Sequence, residues 1–312
     1  MKSQTPTRRS NRIANFRLLL ALMLAIAALL LVASPHQLVS ALREQPSQRQ
    51  KTSTARRDPG MVPSLAPVSA CATPPPDMIG WWPSENNAID IQGTNNGTVE
   101  GGVSFASGEV GQAFSFNGSD ADVKVLAASS LNVGSGNGLT LDLWINPTSA
   151  STTEPLIEWN NPAAGTPYGT HLWLSVVAAG EMYANLIDTN GTFHTFASSG
   201  GLIVAGAYQH LALTYDKASG MATLYRNGVI VAGPTNLGSF TPQTSYDLYF
   251  GFRPAGGLAG SRYTGSMDEI EVFNRALSQT EIQAIYNAGS AGNCQTPSLS
   301  EHRLRLTTVS VS

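Results

Sequence analysis

Residues Leu139 to Ile145 read LTLDLWI. A period of two puts Leu139, Leu141, Leu143 and Ile145 on one face of an extended chain and Thr140, Asp142 and Trp144 on the other. A helix would scatter those four side chains around its circumference, so the segment is read as a strand. Similar segments recur at Gln112–Phe116, Leu172–Val177, Met182–Ile187, His210–Tyr215, Met221–Arg226, Val229–Ala232, Tyr246–Phe252 and Met267–Phe273. Asn227-Gly228 separates two of them and is a strong hairpin signal. Many short strands between turns predict an all-β sandwich or jelly roll. Only 12% of the 312 residues are charged and 30 are Gly, which argues against a helical bundle or coiled coil. One helix is expected near the C-terminus. Ser278-Gln279-Thr280-Glu281 is a capping box, Ile282, Ile285 and Tyr286 share one side, and Gly289 is the stop.

The charge is divided unevenly along the chain. Residues 1–70 carry ten Lys/Arg against two Asp/Glu, while residues 71–294 carry six against eighteen. An acidic domain argues against nucleic acid or an anionic membrane as its partner. Lys2, Arg8, Arg9, Arg12 and Arg17 precede an apolar run from Leu18 to Ala33, and Val39-Ser40-Ala41 follows. Residues 1–41 are therefore expected to be an export signal cut after about Ala41, or an uncleaved membrane anchor. Either places the acidic domain outside the cytoplasm. Residues 42–76, basic and then rich in proline up to Pro74-Pro75-Pro76, read as a linker. Residues 77–294 form the expected domain and 295–312 a polar tail. The two cysteines, Cys71 and Cys294, bracket that domain, and in an oxidising compartment one disulfide tying its ends is expected. Two independent thiols are the alternative.

Several blocks resemble the laminin-G-like jelly-roll family of the concanavalin A-like lectin/glucanase superfamily. Trp81-Trp82-Pro83 with Asp90, Gly93 and Asn96-Gly97-Thr98 is similar to the family's opening. Gly111 to Gly118 (GQAFSFNG), with Asp122 and Val123, is similar to its second block. Tyr208 to Asp216 (YQHLALTYD) and Leu224 to Gly228 (LYRNG) match its paired central strands. Gly265 to Ser278 (GSMDEIEVFNRALS) matches its ending. The match covers about residues 77–290. It implies a concanavalin A-like jelly-roll sandwich of two antiparallel sheets with one short C-terminal helix. It also implies a mostly non-catalytic extracellular module that binds a glycan or a protein at the cell surface. A glycan-active hydrolase and a structural module without a ligand of its own are the alternatives.

Jelly-roll glucanases set three carboxylates at alternating positions of one strand. Here Glu269 and Glu271 alternate, but Phe273 stands third, so they read as the polar side of a strand whose Ile270 and Val272 point inward. No catalytic residue is assigned. His210 is read as a packing residue, and Asp188-Thr189-Asn190-Gly191 as a turn. A structural calcium ion is the candidate cofactor, with Asp90 and Asp268 as ligands and Asp122, beside Asp120, as a further candidate, and ordinary solvated turn aspartates are the alternative. A bound sugar requires exposed aromatic faces with hydrogen-bonding neighbours. Trp159, Tyr168, His171, Arg253 and Tyr263 are the candidates for ligand binding, and Trp159, beside Asn160-Asn161-Pro162, is the best candidate among the tryptophans for an exposed face, with core packing as the alternative. Trp81, Trp144 and Trp173 are read as core packing.

Overall fold

The computed structural model describes residues 70–295, and the expected export segment, most of the linker and the tail lie outside the described residues. In chain order the strands are β1 (Met78–Trp82), β2 (Gly97–Glu100), β3 (Ser104–Ser107), β4 (Gln112–Asn117), β5 (Asp122–Val125), β6 (Gly138–Pro147) and β7 (Glu154–Asn160). They continue as β8 (Tyr168–Leu174), β9 (Met182–Asn185), β10 (Thr195–Ala197), β11 (Gln209–Asp216), β12 (Met221–Arg226), β13 (Val229–Asn236), β14 (Asp247–Phe250) and β15 (Thr264–Phe273). The helix α1 is Gln279–Ala288. One sheet has the order β13-β12-β11-β6-β15-β4-β3, with β1 also paired to β15, and the other β10-β9-β8-β7-β14-β5-β2. Both are antiparallel, as a jelly-roll sandwich requires. The described residues include β7, which lies inside the second sheet although its sequence, EPLIEWN, shows no alternation.

The space between the sheets is filled by the inward halves of these strands. Leu139, Leu141, Leu143 and Ile145 of β6 join Leu211 and Leu213 of β11 and Ile270 and Val272 of β15. They form one cluster with Leu156, Ile157, Leu172, Leu174 and Leu248 of the second sheet. Each such side chain contributes about 1.5–3 kcal/mol by leaving water.

The opposite face of β6 is buried as well. Helix α1 lays Ile282 and Ile285 against Met78, Trp81, Ala212, Tyr225 and Phe273, a second apolar cluster outside the first sheet. Its start is fixed by the capping box, in which the Ser278 hydroxyl accepts from the Glu281 amide and the Glu281 carboxylate accepts from the Ser278 amide. Arg275 clamps the same carboxylate at 2.7 and 3.0 Å and, with Ser278, pulls its pKa down to about 2. Trp144 is buried here, 5.2 Å from His210 and 5.8 Å from Tyr286. It packs beside the helix, not between the sheets.

Glu269 and Glu271 stand on the polar side of β15, opposite Ile270 and Val272 in the core, and the same cover buries them. Asp268 pairs with Trp144 and Glu271 with Asp142, so Glu269 and Ile270 together oppose one residue of β6. This is a β-bulge, with Glu269 at φ +49°. It breaks the regular alternation a row of catalytic carboxylates needs. Both acids are buried. Glu269 accepts from the Trp81 indole at 2.7 Å, and Glu271 from the Asn293 amide at 2.5 Å. Burial, with Asp268 nearby, pushes Glu269 up to about 8, and burial, with Asp142 nearby, pushes Glu271 well above the carboxylate range. His210 Nε2 lies 2.7 Å from Asp142 Oδ1 within this cluster.

The chain ends meet at a disulfide between Cys71 and Cys294, as expected. Ala72 accepts from the Cys294 amide at 2.7 Å and donates to Gly292 at 2.9 Å. The folded unit therefore includes residues 71–76, which the proline content had assigned to the linker.

Two expectations follow. A carboxyl whose pKa is raised on folding contributes stability that is full below its unfolded pKa and is lost as pH rises through the folded one. The melting temperature should therefore fall as pH rises from about 4.5, where the unfolded carboxyls titrate, through about 8, where folded Glu269 titrates, and Glu271→Gln should flatten that slope. A melting temperature that climbs over this range would refute the assignment. Replacing both cysteines by serine should lower stability by up to about 5 kcal/mol, the chain-entropy figure for closing so long a loop, measured by denaturant titration.

Candidate functional site

Strands β7, β8 and β9 bring a set of polar and aromatic side chains to the outer face of the second sheet. Period two sets Leu172 and Leu174 into the core and leaves His171 and Trp173 outside, beside Glu158 and Asn160 of β7 and Tyr183 and Asn185 of β9. Over them folds the loop between Phe252 and Arg262, closed by a backbone bridge between those two residues. It carries Arg253 onto the sheet.

Arg253 organises the site. Its Nε donates to both Glu158 oxygens at 2.9 Å, Nη1 donates to the Gly257 carbonyl at 3.0 Å, and Nη2 lies 3.2 Å from His171 Nε2. The guanidinium carbon is 4.1 Å from the centre of the Trp173 ring and 5.2 Å from that of Tyr168. Trp173 Nε1 donates to Glu158 Oε2 at 3.0 Å, and Asn160 donates to Oε1 at 2.7 Å. Burial pushes the Glu158 carboxyl up, against Arg253, Asn160 and Trp173, which all favour its charged form. His171 Nδ1 is 2.9 Å from the Gly169 carbonyl, which can only accept, so the proton sits on Nδ1 and Nε2 accepts from Arg253. Burial and then the Arg253 charge push this histidine down to about 3 and keep it neutral.

Arg253, His171, Trp173, Tyr168 and Gly257 bound a pocket of about 250 Å³, lined also by Tyr183, Asn185, Phe193 and Leu258. Phe193 and Leu258 are each more than half exposed at its rim, and Leu258 holds φ +63°. Asn185 is only 2% exposed, and its Oδ1 has no hydrogen-bond partner. Gly256 packs on Tyr168, where a Cβ would lie 2.1 Å from the ring, and the Gly257 amide donates to the Tyr168 hydroxyl.

The structure brings together three of the five expected ligand-binding residues, Tyr168, His171 and Arg253, and removes two. Trp159 is fully buried between the sheets. Glu158 and Asn160 face outward, so the residue between them must face inward. Tyr263 is fully buried against Phe116, with its hydroxyl donating to the Ser266 carbonyl. Trp173 is buried, but under Arg253 on the outer face. Sequence reasoning missed Glu158, Tyr183 and Asn185. The last two share one face of the strand read at Met182–Ile187, the signal that pointed to them.

The expected calcium ligands do not converge. Asp90 accepts five hydrogen bonds, from the amides of Trp81, Gln92, Gly93 and Asn95 and from the Asn95 side chain, and so orders its own loop. Asp122 is paired with Arg262, and Asp268 accepts from the Val110 amide. Asp120 caps a turn with Asn117 and Gly102. Among the described residues no group of three or more His, Cys, Asp or Glu could hold a metal ion. Asp188 accepts from the Asn190 and Thr192 amides, as a turn residue does.

Breaking the buried pair should be costly, because the remaining charge has no other counter-ion. Arg253→Ala should lose about 3–5 kcal/mol of stability, and Arg253→Ala/Glu158→Gln should lose less than the sum of its parts. Additive losses in a double-mutant cycle would show the pair to be uncoupled.

The family model described as the concanavalin A-like lectin/glucanases superfamily (Laminin_G_3) matches residues 117–283. No curated protein matches the chain in sequence. Among solved structures, it is similar to domain 4 of AbnA, a GH43 extracellular arabinanase from Geobacillus stearothermophilus, solved in complex with arabinotriose. The identity is 18% and the TM-score 0.51, over 66% of this chain and 97% of that one. It is also similar to the binding domain of Paraclostridial Mosquitocidal Protein 1, with 17% identity and a TM-score of 0.54 over 68% of this chain and 52% of that one. The binding domain of botulinum neurotoxin DC, solved with rat synaptotagmin II, has 13% identity and a TM-score of 0.52 over 68% and 51%. The chain thus spans about half the length of these toxin domains. At such identities the likeness shows the fold.

Proposed function

Because the chain belongs to the concanavalin A-like lectin/glucanases superfamily, we propose that it is a non-catalytic binding module that takes a glycan in the pocket beside Arg253. The observation that carries this reading is the pre-organised wall of that pocket. The Arg253 guanidinium is fixed by Glu158, His171 and the Gly257 carbonyl, above Trp173. Tyr183 and Asn185 supply polar groups beside it. Aromatic faces with a few fixed polar groups are what sugar recognition needs. The carbohydrate-bound arabinanase domain supports the same reading.

Hydrolysis is disfavoured by the same geometry. A glycosidase sets two carboxyl groups about 5–10 Å apart across the scissile bond. No Asp or Glu lines this pocket among the described residues, and the nearest carboxylate, Glu158, is committed to Arg253. We place the module outside the cytoplasm. The basic and then apolar N-terminus and the disulfide Cys71–Cys294 support that placement.

A glycan array followed by calorimetry and a hydrolysis assay on the hits tests the reading. Binding without turnover is expected. Asn185→Ala should weaken it by about tenfold, one lost hydrogen bond to the ligand, at unchanged melting temperature. Glu269→Gln should leave binding intact. Turnover of a bound glycan would select the hydrolase, and binding only to an extracellular protein would select adhesion.

A further inference from the structure

A second pocket of about 200 Å³ adjoins the first. It is bounded by Thr166, Tyr246 and the turn Asp188–Gly191, and Tyr168 lines both pockets. Taken singly, each is smaller than the roughly 300 Å³ at which ligand pockets begin, and together they pass it. Between them stands a ridge made by Tyr168 and Phe193, whose rings are 5.7 Å apart and edge to face. Phe193 is 54% exposed and is the one aromatic among the exposed large apolar side chains of the described residues. An aromatic face left in water beside two pockets is a surface on which a sugar ring stacks, with its apolar C–H face against the ring. The second pocket is preformed. The Asp188 carboxylate accepts from the Asn190 and Thr192 amides, and the Tyr246 hydroxyl donates to the Thr166 carbonyl at 3.2 Å.

The electrostatics narrow the ligand. The Arg253 charge is met by Glu158, the second pocket contains Asp188, and residues 71–294 carry eighteen acids against six bases. A polyanionic glycan would be repelled. We infer that the two pockets form one groove for a linear, neutral oligosaccharide of at least three sugar units, with one unit beside Arg253, one on the Phe193–Tyr168 ridge and one against the Asp188–Gly191 turn. This inference rests on the glycan reading of the Arg253 pocket and adds to it the length and the neutrality of the ligand.

The test is calorimetry of the intact domain with arabino-, xylo- and malto-oligosaccharides of one to five units. For the series that binds, affinity should rise by at least about tenfold from one unit to three and change little beyond four, as stacking buries further apolar surface. Asn190→Ala, at an exposed position outside the Arg253 pocket, should weaken the trisaccharide by several fold and leave the monosaccharide unchanged, while Phe193→Ala, at the rim of that pocket, should weaken the trisaccharide by several fold more than the monosaccharide, both with unaltered melting temperatures. Equal affinity for one and three units, or a silent Phe193→Ala, would overturn the groove while leaving the Arg253 pocket in place. Stronger binding of a sulfated or uronic-acid oligosaccharide than of its neutral counterpart would overturn the neutrality. If no member of any series binds at millimolar concentration, the glycan reading of the pocket falls with the groove.

Discussion

A strand at the centre of a sheet sends alternate side chains to opposite faces, and one filled interface between two sheets accounts for only half of them. In this molecule the other half is buried too. On the first sheet the cover is α1, held by its capping box and by the Arg275–Glu281 clamp. On the second sheet it is the Phe252–Arg262 loop, pinned by Arg253. These two outer layers determine what each sheet can do. The helix closes its face with apolar side chains, and the loop leaves a gap beside its arginine.

The two faces also treat buried acid differently. Glu158 has within hydrogen-bonding distance a guanidinium, itself held over Trp173, and two further donors, so its charge is accommodated. Glu269 and Glu271 have one neutral donor each and other carboxylates for neighbours, and the favourable form is protonated. The Glu158 arrangement gives a rigid polar wall beside open space. The Glu269–Glu271 arrangement gives a closed cluster whose titration couples to folding.

Much of the architecture was legible from short-range pattern. The period of two located β6, β11, β12 and β15, the Asn227-Gly228 turn joined β12 to β13, and the Ser278–Glu281 box started α1. The strand β7 escaped because Leu156, Ile157 and Trp159 all enter the core around an irregularity in its pairing with β8, which erases alternation. Trp159 was misplaced for the same reason. Its exposure depends on which face Glu158 and Asn160 take, and that is set by Arg253, nearly a hundred residues away in sequence. Asp90 and Asp268 lie in the loop and the strand where they were expected, but backbone donors already occupy both oxygens of Asp90 and one of Asp268.

What the sequence by itself determined is local: strand period, turn type, helix start, charge distribution and the two cysteines whose pairing closes the domain. These follow from interactions between residues a few positions apart, or from composition. The pocket was decided by the tertiary structure. Tyr168, His171, Trp173, Tyr183 and Asn185 come from neighbouring strands, while Arg253 arrives from a loop about seventy residues further on, and only sheet register sets them side by side. The same holds for the buried acids, because whether a polar residue on a strand meets water, a cation or another carboxyl depends on what packs over that face.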